Sequence, residues 1–165
     1  MAQTSFREAL PAKKYYYYSL SPCAAQIQNQ EIATTLIWCA QIDKFWIQSS
    51  YPNVIQVNLP VNLPPNAVGQ SVVVYFVDEG NARNEVMDFF LTRHEMQTGN
   101  QNVMAFLSTK KLPALAARRK LEDTTISYSS IDNHKYSYSL QIQFWQGSSN
   151  LKFCGAKIKY TLPTT

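Results

Sequence analysis

The sequence predicts an all-β chain, a two-sheet antiparallel β-sandwich of the jelly-roll type with at most one short helix. Apolar and polar residues alternate with a period of two over most of residues 33–163, as in strands with one buried face. Pro, Asn, Gly and Ser separate these short runs, which is typical of sandwiches and barrels. Hydrophobic residues make up 45% of the 165 residues and charged residues 16%, so a globular core with a largely neutral polar surface is expected.

The predicted strands of the first two thirds differ in how clearly they are marked. Ile55–Leu63 has apolar residues at every odd position, and Pro60 on its polar side indicates an edge or a bend. Val72–Val77 is apolar throughout, which predicts a central strand covered on both faces. The remaining predicted strands are Lys14–Leu20, Ala33–Ile42, Phe45–Ser49 and Val86–Arg93.

One segment has helical character. In Leu112–Asp123 (LPALAARRKLED), residues that favour helices follow Pro113. We expect a short helix or a mobile loop there.

The last third predicts a long terminal hairpin. Tyr136–Phe144 alternates, residues Gln146–Asn150 turn the chain, and a return strand runs from Leu151 to Leu162. The inward parity of the return strand changes across Cys154 and Gly155. One extra residue produces such a change, so Gly155 is predicted to form a β-bulge.

The chain is predicted to form one domain, residues 21–165, preceded by an arm at residues 1–20. Residues 1–14 are polar, whereas the following strand carries four rings on alternating faces, those of Tyr15, Tyr16, Tyr17 and Tyr18. A terminal strand that is apolar on both faces needs a cover. We therefore expect an assembly arm that adds to the sheet edge of a neighbouring copy. Pairing within its own sheet is the alternative.

The sequence bears on localisation and cofactors only through the motifs that it lacks. Residues 1–20 lack the apolar core of a signal peptide, and no apolar stretch approaches a membrane span. Synthesis in the cytoplasm is expected, with incorporation into a virion or external assembly left open. The cysteines Cys23, Cys39 and Cys154 form no CxxC pair, so we expect reduced, buried thiols, no metal site and no cofactor.

The net charge of +4 arises largely from two basic groups. Nucleic-acid binding is nevertheless disfavoured, because the sequence lacks the combined basic and stacking pattern. The groups are Lys110, Lys111, Arg118, Arg119 and Lys120, and Lys135, Lys152, Lys157 and Lys159.

No catalytic residues are predicted. Asp132-Asn133-His134 with nearby serines superficially resembles part of a Ser-His-Asp triad, but it is better explained as a polar loop. The second histidine is His94. Carboxylate pairs of the kind glycosidases use are expected simply to face water here; they are Asp78-Glu79 and Glu122-Asp123.

Three tryptophans are candidate stacking platforms for sugars: Trp145, Trp46 and Trp38. Trp145 is favoured because it ends a strand beside a turn, where rings are often exposed. The alternative is that these rings fill the core or an interface.

The C-terminal pattern resembles the closing hairpin of small, uncharacterised bacterial β-sandwich proteins, which also carry an LPxxA-like turn comparable to Leu63–Ala67. The resemblance implies no catalytic residue and no function. It rests on Asp132, Asn133, Tyr136, Tyr138, Leu140, Phe144, Gly147, Leu151, Gly155, Ala156, Ile158 and Tyr160.

Without a catalytic constellation, and with a surface rich in Gln, Asn, Ser and Tyr, the sequence favours a non-enzymatic structural or adhesive subunit. We expect it to self-associate through β-sheet surfaces as a homo-oligomer, in a capsid, tail, spike or filament. A carbohydrate-binding module that uses exposed aromatic rings to hold a glycan is the alternative. A glycosidase-type enzyme is third.

Overall fold

A computed structural model describes residues 13–27, 36–41, 44–49, 54–79, 85–145 and 148–163. These residues form antiparallel strands in two sheets, with one 3-10 turn at Pro22–Ala24. The predicted all-β, two-sheet sandwich is therefore confirmed. The strands are β1 (Tyr16–Leu20), β2 (Gln26–Ile27), β3 (Leu36–Gln41), β4 (Lys44–Ser49), β5 (Ile55–Val61), β6 (Val68–Asp78), β7 (Met87–Glu95), β8 (Gln101–Ser108), β9 (Leu115–Asp123), β10 (Tyr136–Phe144) and β11 (Ser148–Thr161).

Sheet A has the order β3-β4-β11-β6-β9, and β1 also pairs with β11. Strand β4 pairs with the first part of β11, where Ile47 faces Phe153, and β1 pairs with the second part, where Leu20 faces Ala156. Sheet B has the order β2-β5-β10-β7-β8. No helix in the described ranges is both long enough and apolar enough to cross a membrane.

The core lies between the two sheets, where aromatic rings from both interdigitate. The Phe89 ring of sheet B lies 6.0 Å from Phe153 and 6.2 Å from Phe76, both on sheet A. All three side chains are almost completely buried. Burying a side chain of this size stabilises the folded state by roughly 1.5–3 kcal/mol. The inward residues of each strand therefore hold the two sheets together, and the residues between them face outward.

The predicted terminal hairpin is wrong, although its two strands exist. Strand β10 pairs with β5 and β7 in sheet B, whereas β11 pairs with β6, β4 and β1 in sheet A. The connection therefore crosses from one sheet to the other. The alternation of apolar and polar residues indicates only which side chains face inward. A hairpin and a crossover between facing sheets give the same alternation, so the pattern cannot distinguish them.

The predicted bulge at Gly155 is confirmed, with β6 as the partner strand. Phe153 pairs with Phe76 and Gly155 with Tyr75, which leaves Cys154 as the extra residue. Gly155 has a φ of 128°, a backbone conformation that is essentially restricted to glycine.

The segment predicted as a helix or mobile loop is instead β9. It pairs antiparallel with β6, with Lys120 opposite Tyr75 and Glu122 opposite Val73. Helix propensities amount to less than about 0.7 kcal/mol per residue for ordinary residues. The open edge of β6 supplies backbone hydrogen-bond partners that outweigh this preference.

The tyrosine strand also differs from the expected arm. Tyr16 pairs with Tyr160 and Tyr18 with Ile158 of the same chain, and the Tyr16 and Tyr160 rings stack at 5.6 Å. Pairing within its own sheet, the alternative left open by the sequence, is what the structure has for these residues. The alternation of the rings is as predicted, since Tyr17 on the outer face is 63% exposed. Residues 1–12 of the predicted arm lie outside the described residues.

Two smaller expectations need adjustment. The outward residues Val73 and Tyr75 of β6 are only partly buried, so this strand is not covered on both faces. Cys23, in the 3-10 turn, is exposed rather than buried, and the side chain of Cys39 lies outside the described residues. Burial raises the pKa of the Cys154 thiol, and the nearby Arg118 partly offsets that effect.

Candidate functional site

The outer face of sheet B carries a ladder of amide side chains. Gln143 of β10 lies opposite Gln56 of β5, and Gln141 lies opposite Asn58. On the far side of β7, Gln101 of β8 is on the same face. We call the surface formed by Gln56, Asn58, Gln101, Gln141 and Gln143 the amide face.

Hydrogen bonds between these amides fix their orientation. Gln143 Nε2 donates to Gln56 Oε1 at 3.1 Å, and Gln56 Nε2 is 3.4 Å from Asn58 Oδ1. Gln101 reaches across β7, so that its Nε2 donates to Gln141 Oε1 at 2.9 Å. Among the described residues, the amide nitrogens of Asn58 and Gln141 have no hydrogen-bond acceptor. Asn58 is partly exposed, so its amide nitrogen is a donor available to a ligand, whereas Gln141 is only 5% exposed.

Trp145 stands at one end of this face. It follows β10 with the parity of Gln141 and Gln143, and it is 46% exposed. Its backbone N–H donates to the Val86 carbonyl at 3.0 Å, and its Nε1–H donates to Asp88 Oδ2 at 2.5 Å. The indole is consequently a fixed ring with exposed surface, the arrangement that stacking on a sugar requires.

A second aromatic surface adjoins the amides. Phe90 of β7 and Phe106 of β8 face each other, with ring centroids 4.9 Å apart. Phe106 is 50% exposed. The aromatic residues and the amides thus share one continuous sheet face.

The other end of the face holds a cluster of hydroxyls and one imidazole. Thr92 Oγ1 lies 3.0 Å from Ser139 Oγ and 3.1 Å from His94 Nε2. His94 Nε2 is 3.3 Å from Ser139 Oγ. No carboxylate of the described residues hydrogen-bonds to this imidazole, so it lacks the orienting acid of a catalytic triad.

The face is almost free of charge. Among the outward side chains of β5, β7, β8 and β10, only Asp88 and His94 can ionise. Asp88 is nearly buried and holds the indole. Such a surface suits a neutral ligand with many hydroxyl groups.

The carboxylates singled out in the sequence have local structural contacts. Asp132 Oδ1 accepts from the backbone N–H of His134 at 3.0 Å, which closes a turn. Asp78 is 3.7 Å from Arg119 and Glu79 is 3.3 Å from Lys152. Asp123 Oδ1 accepts from the Thr125 N–H at 2.7 Å, whereas Glu122 is exposed on sheet A.

The three tryptophans are not brought together by any described contact. Trp38 and Trp46 lie on the paired strands β3 and β4 of sheet A, and their rings are outside the described residues. Trp145 lies on sheet B. Within the described ranges, no three His, Cys, Asp or Glu side chains are grouped as metal ligands.

No protein-family model matches the chain, and no curated protein matches it. Solved structures do share its fold. The xylan-binding module CBM15 has a TM-score of 0.56 at 6% identity, over 92% of this chain and 100% of that one. The C-terminal CBM6 of the laminarinase LamC from Zobellia galactanivorans has 0.54 at 9% identity, over 87% and 98%. A family 35 carbohydrate-binding module from Clostridium thermocellum has 0.51 at 12% identity, over 87% and 97%.

These findings correct the expected function. These three solved structures are named as carbohydrate-binding modules, and the tyrosine strand that motivated self-association pairs within its own sheet. The expectation of a self-associating capsid, tail, spike or filament subunit is therefore wrong. The comparisons agree with the alternative that the sequence left open, a carbohydrate-binding module.

Proposed function

We propose that the chain binds an uncharged polysaccharide along the amide face, with Trp145 as the stacking residue. The observation that carries the proposal is that the available amide donor of Asn58 and a fixed, exposed indole lie on one almost uncharged sheet face. Sugar hydroxyls both donate and accept hydrogen bonds, as side-chain amides do. The apolar face of a pyranose ring can pack on the indole.

The dimensions of the face support a chain-like ligand. From Trp145 to Ser137 the outward side of β10 spans eight residues, about 26 Å at about 3.3 Å per residue. Polar groups line this whole length, with Gln143, Gln141 and Ser139 in between. A site of this extent accommodates several sugar units side by side.

The proposal includes binding without cleavage. The His94 cluster lacks an acid among the described residues, and the carboxylates of β6 and β9 lie on sheet A, not on this face. The three similar solved structures are named as binding modules, which supports the same interpretation.

Native affinity electrophoresis tests the proposal with soluble neutral polysaccharides such as a β-1,3-glucan, a xylan and a galactan in the gel. We expect at least one to retard the wild-type protein. The double variant Asn58→Ala/Gln143→Ala should migrate freely while keeping its thermal midpoint. Failure of every neutral polysaccharide to retard the wild type would reject the proposal. New reducing ends after incubation would instead indicate an enzyme.

The carboxylate of Asp88 is expected to act as a positioning residue for Trp145. Asp88→Asn keeps an oxygen that accepts from the indole N–H, so polysaccharide affinity should stay within about twofold. Asp88→Ala removes the acceptor, and losing one such hydrogen bond costs about 1 kcal/mol, or about fivefold in affinity. Titrating both variants by calorimetry, with tryptophan fluorescence as a readout of indole mobility, checks this. Equal affinities for the two variants would contradict the positioning role.

A further inference from the structure

The outer face of sheet A differs in chemistry from the amide face. On it, Tyr17 of β1 lies opposite Lys159 of β11, and Lys159 lies opposite Ser71 of β6. Lys157, the next residue of β11 on the same face, lies opposite Val73 of β6. Lysines and tyrosines therefore occupy neighbouring outward positions on adjacent strands.

These residues line a groove of about 260 Å³. Ser71 and Val73 contribute to its lining from β6, and the Tyr17 and Tyr75 rings contribute from β1 and β6. The exposed Glu122 completes the lining from β9. The groove thus combines aromatic surface with hydroxyl and charged groups.

Sheet A brings the two basic groups of the sequence onto one surface. Lys157 and Lys159 come from the C-terminal group, and Lys120, opposite Tyr75, comes from the group that precedes it. We call the groove lined by Tyr17, Tyr75, Glu122, Lys157 and Lys159 the basic groove, and Lys120 lies beside it on β9.

Tyrosine rings lie next to both lysines. The ammonium of Lys159 lies 3.8 Å from the centroid of the Tyr15 ring, and that of Lys157 lies 6.0 Å from the Tyr75 ring. In the part of the chain that the structure describes, neither lysine has a carboxylate oxygen within 4.0 Å. Their charges are therefore available to an anionic ligand.

We propose that the basic groove is a second binding site, and that its ligand is an acidic polysaccharide carrying carboxylate or sulfate groups. Lys157 and Lys159 would pair with the anionic groups, and Tyr17 and Tyr75 would pack against the sugar rings. Glu122 would accept hydrogen bonds from the hydroxyls. The site is separate from the amide face because it lies on the opposite sheet.

An acidic polysaccharide fits this groove better than a nucleic acid does. Glu122 lines the groove beside the two lysines and would repel the phosphate that every nucleotide carries. A sugar chain carries hydroxyls between its charged groups, and those hydroxyls can donate hydrogen bonds to the Glu122 carboxylate.

The test is thermophoretic titration of the full chain with polygalacturonate, dextran sulfate, neutral dextran and single-stranded DNA. We expect at least one acidic polysaccharide to bind at least tenfold more tightly than dextran, and the affinity to fall as salt is raised. Lys157→Ala/Lys159→Ala should weaken it at least tenfold. The charge-matched control Lys110→Ala/Lys111→Ala, in the turn after β8, should change it less than twofold.

Glu122→Gln removes a negative charge that repels the acidic polysaccharide but keeps an oxygen that accepts hydrogen bonds. Binding should therefore tighten about two- to fivefold, a gain that misfolding cannot produce. Asn58→Ala/Gln143→Ala should leave acidic-polysaccharide binding unchanged, which separates this site from the proposed amide-face function. If both lysine double variants lost affinity for the acidic polysaccharide equally, binding would be unspecific attraction to positive charge, and the proposal would be overturned. Tighter binding of DNA than of either acidic polysaccharide, or no binding, would also overturn it.

Discussion

Replacing Trp145 with alanine is expected to weaken binding of the neutral polysaccharide about 30-fold. Trp145 is 46% exposed, yet two hydrogen bonds hold it in place. Its backbone N–H donates to the Val86 carbonyl, and its indole Nε1–H donates to the Asp88 carboxylate. A fixed ring loses little conformational entropy when a ligand packs on it. Removing an aromatic hot-spot residue typically costs about 2 kcal/mol, which corresponds to this change in affinity.

Calorimetric titration of Trp145→Ala against the polysaccharide found by electrophoresis measures the effect. Tyr15→Ala is the matched control, because Tyr15 is exposed to a similar degree but lies by the basic groove. It should bind the neutral polysaccharide like the wild type. An affinity of Trp145→Ala within threefold of the wild type would show that the indole is not a stacking platform.

The sequence predicted the fold class because period-two alternation survives in most strands, and β10 (Tyr136–Phe144) has the predicted bounds. It did not predict the strand partners. Inward and outward residues alternate identically whether β11 returns beside β10 or crosses to the other sheet. The parity change at Gly155 located the bulge, but β6 rather than β10 lies opposite it.

The amide face could not be recognised from the sequence for a related reason. Gln141 and Gln143 were visible as the polar side of one strand, and Gln56 and Asn58 as the polar side of another. Only the register between β5 and β10 makes them neighbours. Trp145 could be singled out because exposure at a strand end is a local property, whereas its contact with Asp88 spans 57 residues.

The two outer faces of the sandwich differ in their side-chain chemistry. Sheet B faces outward with amides, hydroxyls and aromatic rings, and sheet A with lysines and tyrosines. Each strand contributes its inward residues to a shared core and its outward residues to one face only. Substitutions on one face are therefore expected to leave the affinity of the other unchanged, as distant sites usually act independently.

Replacing Gly155 with valine is expected to lower the free energy of unfolding by about 3 kcal/mol. Its φ of 128° lies outside the region near +60° that other residues can adopt, and such strain costs about 1–3 kcal/mol. A Cβ atom here would also lie 3.0 Å from the Leu20 carbonyl oxygen. That oxygen belongs to the backbone of β1 (Tyr16–Leu20), so relief requires the paired strand to move.

Gly99→Val is the matched control, because Gly99 has a φ of 72° and a Cβ there would meet no atom within 4 Å. It measures the cost of a left-handed backbone without any clash, expected at about 1–2 kcal/mol. Urea unfolding of both variants gives the free energies, and the thermal midpoint of Gly155→Val should fall by about 6–12 °C. If Gly155→Val destabilised the domain no more than Gly99→Val, the close approach of β1 to the bulge would be contradicted. A larger loss for Gly155→Val is the expected result, because its φ of 128° and the close Leu20 carbonyl both oppose a side chain.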